Sequence, residues 1–234
     1  MARQRTPGID ALIERQAARW NLARRVAGVE GERPPRPSIA FSRLPYSEGD
    51  EIAERVANAL DFGLFGRAVL EQIAREQSVA DQLVVGLEER VRGVIERYIV
   101  ELFRSRVATQ DEAFSQVLKI LGTIGRRGAA VIVGRGAAYV LPLEQALRVL
   151  VVAPAAHRAA RLAAARGLNA AEAQEALARE DETRATFVRH YFRVQQSDAC
   201  LYDLCLDSAT LGVDGGVALV LEAFRRRFPA EPAA

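Results

Sequence analysis

From residue 38 onward, strand-length apolar runs alternate with longer amphipathic stretches. Residues 38–41, 129–133 and 147–153 are near-continuous apolar runs, as expected for strands covered on both faces of a parallel sheet. Residues 62–65 and 204–206 read as two shorter strands. Residues 51–60 carry Ile52, Val56, Ala59 and Leu60 on one helical face. Residues 67–77, 80–106 and 111–126 repeat apolar positions three and four apart, and Gly128 stops the last of these. After the strand ending at Ala153, the spacing predicts a helix bearing Arg158, Arg161 and Arg166. Asn169 followed by Glu172 is a capping-box signature, opening a helix that runs through Glu182. Residues 212–227 predict a final helix. This alternation predicts an α/β fold, a three-layer doubly wound parallel sheet of about five strands.

Two segments interrupt the alternation. The helical block at 66–110 falls between strands and predicts a helical insertion in a domain spanning 38–234. Residues 8–26 place Ile9, Leu12, Ile13, Ala17, Trp20 and Ala23 at helical spacing, and the proline-rich stretch 30–37 ends that pattern. Residues 1–37 are therefore expected to form a helix on a stiff linker, its apolar stripe packing on its own domain or else meeting a protein partner or a second copy of the chain.

Composition narrows the function classes. The chain has 234 residues, half of them apolar, with 32 basic against 30 acidic residues and a formal charge of +2. That balance gives no basic footprint for nucleic acid, and acidic residues are interspersed among the arginines, so no nucleic-acid partner is expected. No stretch approaches the roughly 20 apolar residues of a membrane span, and the charged first thirty residues lack a signal-peptide core. Two cysteines, Cys200 and Cys205, with no secretory start predict a cytoplasmic protein. The spacing of those cysteines with His157 and His190 matches no zinc-ligand pattern, and no metal site of the protein's own is expected.

The chemistry lies in the loops. The strand–loop–helix at 39–60 has the layout of a phosphate-cradling P-loop. Its loop reads Ser42-Arg43-Leu44-Pro45-Tyr46-Ser47-Glu48-Gly49-Asp50-Glu51. It holds one glycine, no lysine and three carboxylates; the only lysine of the chain is Lys119, on a predicted helix. Gly134-Arg135-Gly136 follows a predicted strand, where ligands of open parallel sheets bind and where a guanidinium can fork onto phosphate. Arg158, Arg161 and Arg166, then Arg179, Arg184, Arg189 and Arg193 around Asp181, make an arginine-bearing segment. Such a segment suits the neutralisation of a transferring phosphoryl group, and equally an ordinary solvated helix face. Asp207 or Ser208 either caps the final helix or contacts a base, capping being the local preference.

Taken in register, these four places resemble the cytidylate kinase-like family of P-loop nucleoside monophosphate kinases over residues 38 to about 224. The first loop is similar to that family's Ser-Arg-x-x-Gly-Ser-Gly-Gly-Arg-Glu-Ile-Ala, kept here at Ser42, Arg43, Ser47, Gly49, Glu51, Ile52 and Ala53. Gly134-Arg135-Gly136-Ala137-Ala138-Tyr139 resembles its nucleotide-site loop, and Asp181 and Arg184 its lid motif Asp-x-x-Arg. Tyr202 to Leu211 resembles its tyrosine-led closing strand. The resemblance implies five parallel strands, a lid at 181–200, ATP with Mg2+, and phosphoryl transfer to CMP or dCMP. It further implies that Arg135 holds the CMP phosphate while Arg158, Arg184, Arg189 and Arg193 close over the transferring group. Three departures fall in the donor loop: Tyr46 and Glu48 stand at glycine positions, and Asp50 at a basic one. Glu51 stands where the hydroxyl ligand of magnesium belongs. A catalytically inactive kinase-like sensor or interaction module is the alternative reading.

Overall fold

The computed structural model describes residues 36–66, 70, 112–134 and 136–229, with only the backbone of 112–116 and 126. Most of the predicted helical insertion, nearly all of the N-terminal segment, and Arg135 lie outside the described residues.

Five strands form one wholly parallel sheet in the order β2-β3-β1-β4-β5. They are β1 (Ser38–Arg43), β2 (Gly63–Phe65), β3 (Ala130–Val133), β4 (Ala146–Val152) and β5 (Leu204–Asp207). The helices are α1 (Gly49–Leu60), α2 (Glu112–Arg127), α3 (Ala137–Val140), α4 (Ala155–Arg166), α5 (Ala170–Phe192) and α6 (Ser208–Arg227).

Side chains alternate across each strand, so the continuous apolar runs feed two cores. Ile39, Phe41, Val131, Val133, Val149 and Val151 pack against Ile52, Val56, Val220 and Phe224 of α1 and α6. Ala40, Ile132 and Leu150 face Leu118, Leu121 and Ile124 of α2, with Val188 and Phe192 of α5. The sheet is thus the middle of three layers. A parallel sheet leaves neither face to water, which is why its strands read as unbroken apolar runs.

Three boundaries differ from those expected. In α1 the buried face is Ile52, Ala53, Val56 and Ala57, and Ala59 is exposed. Helix α5 opens with the predicted capping box, Glu172 N donating to Asn169 Oδ1 at 3.0 Å and Asn169 N to Glu172 Oε2 at 2.9 Å, but it runs ten residues past Glu182 to Phe192. Helix α6 begins at Ser208, capped by Asp207 Oδ1 accepting from Ala209 N at 2.9 Å. Gly212, the expected start, is instead a kink at φ 66 and ψ 174.

Beside β4 and β5, Asp203 accepts from Arg148 N at 2.8 Å and from its guanidinium at 3.0 Å, and is 15% exposed. Burial raises its carboxyl pKa, but the hydrogen bonds and charge of Arg148 outweigh that and leave it lowered. A carboxylate depressed on folding contributes stability that is present above its unfolded pKa of about 3.9 and is lost as pH falls through the lower folded value. Asp203→Asn is therefore expected to cost about 1.5–3 kcal/mol at neutral pH. In acid titrations followed by urea unfolding, the variant should converge on the parent as the pH falls through that lowered value.

Candidate functional site

The carboxyl ends of β1 and β3 are neighbours, and the loops leaving them meet at that edge. Gly134 N donates to Phe41 O at 2.9 Å, and Nη1 of Arg43 lies 3.7 Å from the point a Cβ on Gly134 would occupy. A Cβ on Gly136 would fall inside the ring of Phe192, the last residue of α5, so this loop and α5 close against each other only through a glycine. Helix α3 follows directly and buries Tyr139. The hydroxyls of Tyr139 and Tyr202 are 2.6 Å apart, Tyr202 donates to Gln196 O at 3.0 Å, and both phenols bond to Ser42. Burial, the largest influence, raises both phenol pKa values, and the nearby charge of Arg184 opposes it at Tyr139.

The donor loop keeps a looped path without its glycines. Tyr46 at φ 61 and Glu48 at φ 58 occupy the left-handed region that glycine adopts freely and other residues reach at a cost of about 1–2 kcal/mol. The first intrahelical bond of α1 runs from Ile52 N to Glu48 O at 3.0 Å. The amides of Gly49, Asp50 and Glu51 therefore have no carbonyl partner within the helix. Gly49 must be glycine, since a Cβ there would stand 2.5 Å from Arg43 Cβ.

The side chains of this loop point to protein partners. Ser47 is 1% exposed, its hydroxyl lying 2.8 Å from Leu44 O and 3.3 Å from Val151 O. Ser208, whose hydroxyl is 2.6 Å from Ser47 O, ties the start of α6 to the same loop. Glu48 meets His157 Nε2 at 3.3 Å and Arg161 Nη1 at 2.9 Å, both from α4. Asp50 accepts from Arg43 Nε at 2.9 Å, and Glu51 is exposed.

A magnesium–ATP complex does not fit the loop as it stands. The Ser47 hydroxyl faces inward, and the carboxylates of Glu48 and Asp50 are engaged by different cations. Among the described residues no group of three or more His, Cys, Asp or Glu is placed to hold a metal ion.

The arginine-bearing segment divides in two. Arg158 is 5% exposed and donates to Ala153 O at 2.9 Å, to both carboxylate oxygens of Asp181 at 2.9 Å, and to Pro45 O at 3.5 Å. Arg158 and Asp181 thus hold each other and join α4, α5 and the donor loop. Arg184 lies toward Tyr139. Arg189 is exposed and pairs with Glu182 at 2.8 Å, and Arg193 is exposed at φ 54 past the end of α5. Of the expected site residues, Ser42, Arg43, Gly134 and Gly136 come together with Arg184 around Tyr139, whereas Ser47, Gly49 and Glu51 belong to the donor loop.

His157 and Gln196 are marked by no motif of the sequence, whereas Tyr139 and Tyr202 lie in the stretches that resemble the family's nucleotide-site loop and closing strand. His157 had been weighed only as a metal ligand. Its position four residues before Arg161, on one face of α4, was the available signal.

The family model described as "Cytidylate kinase-like family" matches residues 38–210. Among solved structures, an uncharacterized protein from Eubacterium ventriosum ATCC 27560 is similar at 17% identity with a TM-score of 0.65, over 82% of this chain and 99% of that one. A shikimate kinase from Bacteroides thetaiotaomicron aligns at 14% identity with a TM-score of 0.44, over 80% of this chain and 96% of that one. No curated protein matches the chain. No helix among the described residues is long and apolar enough to cross a membrane.

Proposed function

Because this chain belongs to the cytidylate kinase-like family, we propose that it binds a nucleoside monophosphate of the CMP or dCMP class at the loops following β1 and β3. The observation that carries this reading is the convergence of Arg43 and the Gly134–Gly136 loop at the carboxyl edge of the sheet. In open parallel sheets, that edge is where ligands lie. Arg135, between the two glycines, supplies the fork for the nucleotide phosphate, and Arg43 and Arg184 add positive charge beside it. Arg189 and Arg193, further along the same segment, are the cations available to a second phosphoryl group.

The family reaction, phosphoryl transfer from ATP with magnesium, meets a donor loop in which the Ser47 hydroxyl and two of the three carboxylates, Glu48 and Asp50, are already engaged. No transfer step is assigned to that arrangement. The same observation favours a second reading, a catalytically inactive kinase-like module that senses the nucleotide, with residues 1–37 as its contact to a partner.

Calorimetry with CMP, dCMP and Mg-ATP, followed by a coupled assay for ADP release, tests both. Binding of CMP or dCMP is expected, with turnover at least about a hundredfold below the 1–100 s−1 usual for kinases. Failure of both monophosphates to bind overturns the nucleotide reading. Turnover at ordinary kinase rates overturns the inactive one.

A further inference from the structure

Glu48 is a carboxylate in a loop whose place in the fold suits anions, and its side chain is only 11% exposed. Its backbone sits at φ 58 and ψ 3, a conformation that costs a non-glycine residue about 1 kcal/mol or more, so its side-chain contacts must outweigh that cost. Those contacts all come from α4: His157 at 3.3 Å and Arg161 at 2.9 Å. Two neighbours hold the same pair of helices. Tyr46, also left-handed at φ 61, packs on the cluster of Leu162, Ala173 and Leu177, with the Arg166 guanidinium 5.7 Å from its ring centroid. Pro45 O accepts from Arg158. The loop and the α4–α5 hairpin are therefore closed on each other through protein groups alone.

We infer that Glu48 is a built-in counter-anion, a latch that holds His157 and Arg161 in place of a polyphosphate and must be displaced before one can bind. This rests on reading residues 42–51 as the donor side. A triphosphate chain carries several negative charges to the single charge of Glu48, so it can compete for Arg161, but it must first break an ion pair whose carboxylate is largely withdrawn from water. The latch consequently lowers polyphosphate affinity without touching the loop after β3.

The test is titration of inorganic tripolyphosphate into the full chain by calorimetry, with CMP measured on the same samples. Glu48→Gln is expected to bind tripolyphosphate about tenfold tighter than the parent. Adding His157→Gln and Arg161→Gln should abolish that gain, whereas the same two changes in the parent should alter affinity less than about threefold, because those side chains are already occupied. Glu48→Gly provides the same readout if Glu48→Gln folds poorly, since glycine suits φ 58. No gain in either variant overturns the latch. So does a gain that survives without His157 and Arg161, which would reflect only the removal of a repelling charge. CMP separates the two proposals: a tripolyphosphate gain of the expected kind without CMP binding upholds the latch and overturns the acceptor reading, and CMP binding without the gain does the reverse.

Discussion

Asp181→Ala is expected to lower unfolding free energy by about 3–5 kcal/mol, more than Arg158→Met, although the two side chains are partners in one pair. The asymmetry follows from burial. Arg158 is 6% exposed at its side chain and Asp181 34%. Removing the carboxylate leaves Nη2 without a partner and Nη1 with only the long bond to Pro45 O, on a buried cation that cannot shed its proton. Removing the guanidinium leaves Asp181 free to turn toward solvent, and the main cost is the loss of a donor for Ala153 O and Pro45 O, about 1–3 kcal/mol. The double variant should lie closer to Arg158→Met than to the sum of the singles. Urea unfolding of the four chains measures this, with constant m-values as the check that only stability has changed. Additive losses would mean that the pair does not join α5 to α4. Because Arg158 also reaches Pro45, both single changes are expected to loosen the donor loop.

That pairing marks the limit of what the residues disclosed before the fold was described. The strands were legible because a parallel sheet with both faces covered demands unbroken apolar runs, and 38–41, 129–133 and 147–153 supply them. Helix ends set by local chemistry were legible as well, as at Asn169 and Asp207, where a side chain caps the first turn. The far end of α5 was not. Residues 183–192 are rich in threonine, aromatic and β-branched residues of low helix propensity, and they remain helical because Val188 and Phe192 are buried against the sheet and Gly136. Tertiary contacts override local preference there.

The loops that follow β1 and β3 were legible, since glycines and arginines cluster where strands end. The state of the donor loop was not. Residues other than glycine are expected to avoid left-handed turns, yet Tyr46 and Glu48 make two of them. Their conformations are supported by α4 and α5, 109 residues away in the case of His157 and Glu48. A pattern confined to ten residues cannot display a partner at that separation. Arg158, expected over the transferring group, and Asp181, expected in the lid motif, read as separate candidates, and only their mutual geometry shows that each engages the other.

Restoring the loop to the family pattern, with Tyr46→Gly, Glu48→Gly and Asp50→Arg together, is expected to raise Mg-ATP affinity by about a thousandfold, or ~4 kcal/mol. The three changes contribute unequally. A carboxylate about 4 Å from a phosphate oxygen costs about 4 kcal/mol at an effective dielectric near 20 but only about 1 kcal/mol in bulk water. Glu48, 11% exposed, lies near the first limit, and Asp50, 71% exposed, near the second. Glu48→Gly alone should therefore yield most of the gain, and Asp50→Arg about tenfold beyond it by releasing Arg43 and setting a second guanidinium beside it. Tyr46→Gly acts on the backbone, relieving a left-handed residue at the expense of a ring packed on Leu162 and Leu177. Those effects nearly offset, about 1–2 kcal/mol against the 1.5–3 kcal/mol of burying such a ring, so the variant should remain folded and its affinities comparable with the parent's. Calorimetry with Mg-ATP on the parent, the three single variants and the combination resolves the order. If the combined variant binds no more tightly than the parent, the substitutions in residues 42–51 are not what excludes the donor. A gain led by Asp50→Arg would place the obstacle at the exposed rim of the loop, away from the carboxylate held by α4.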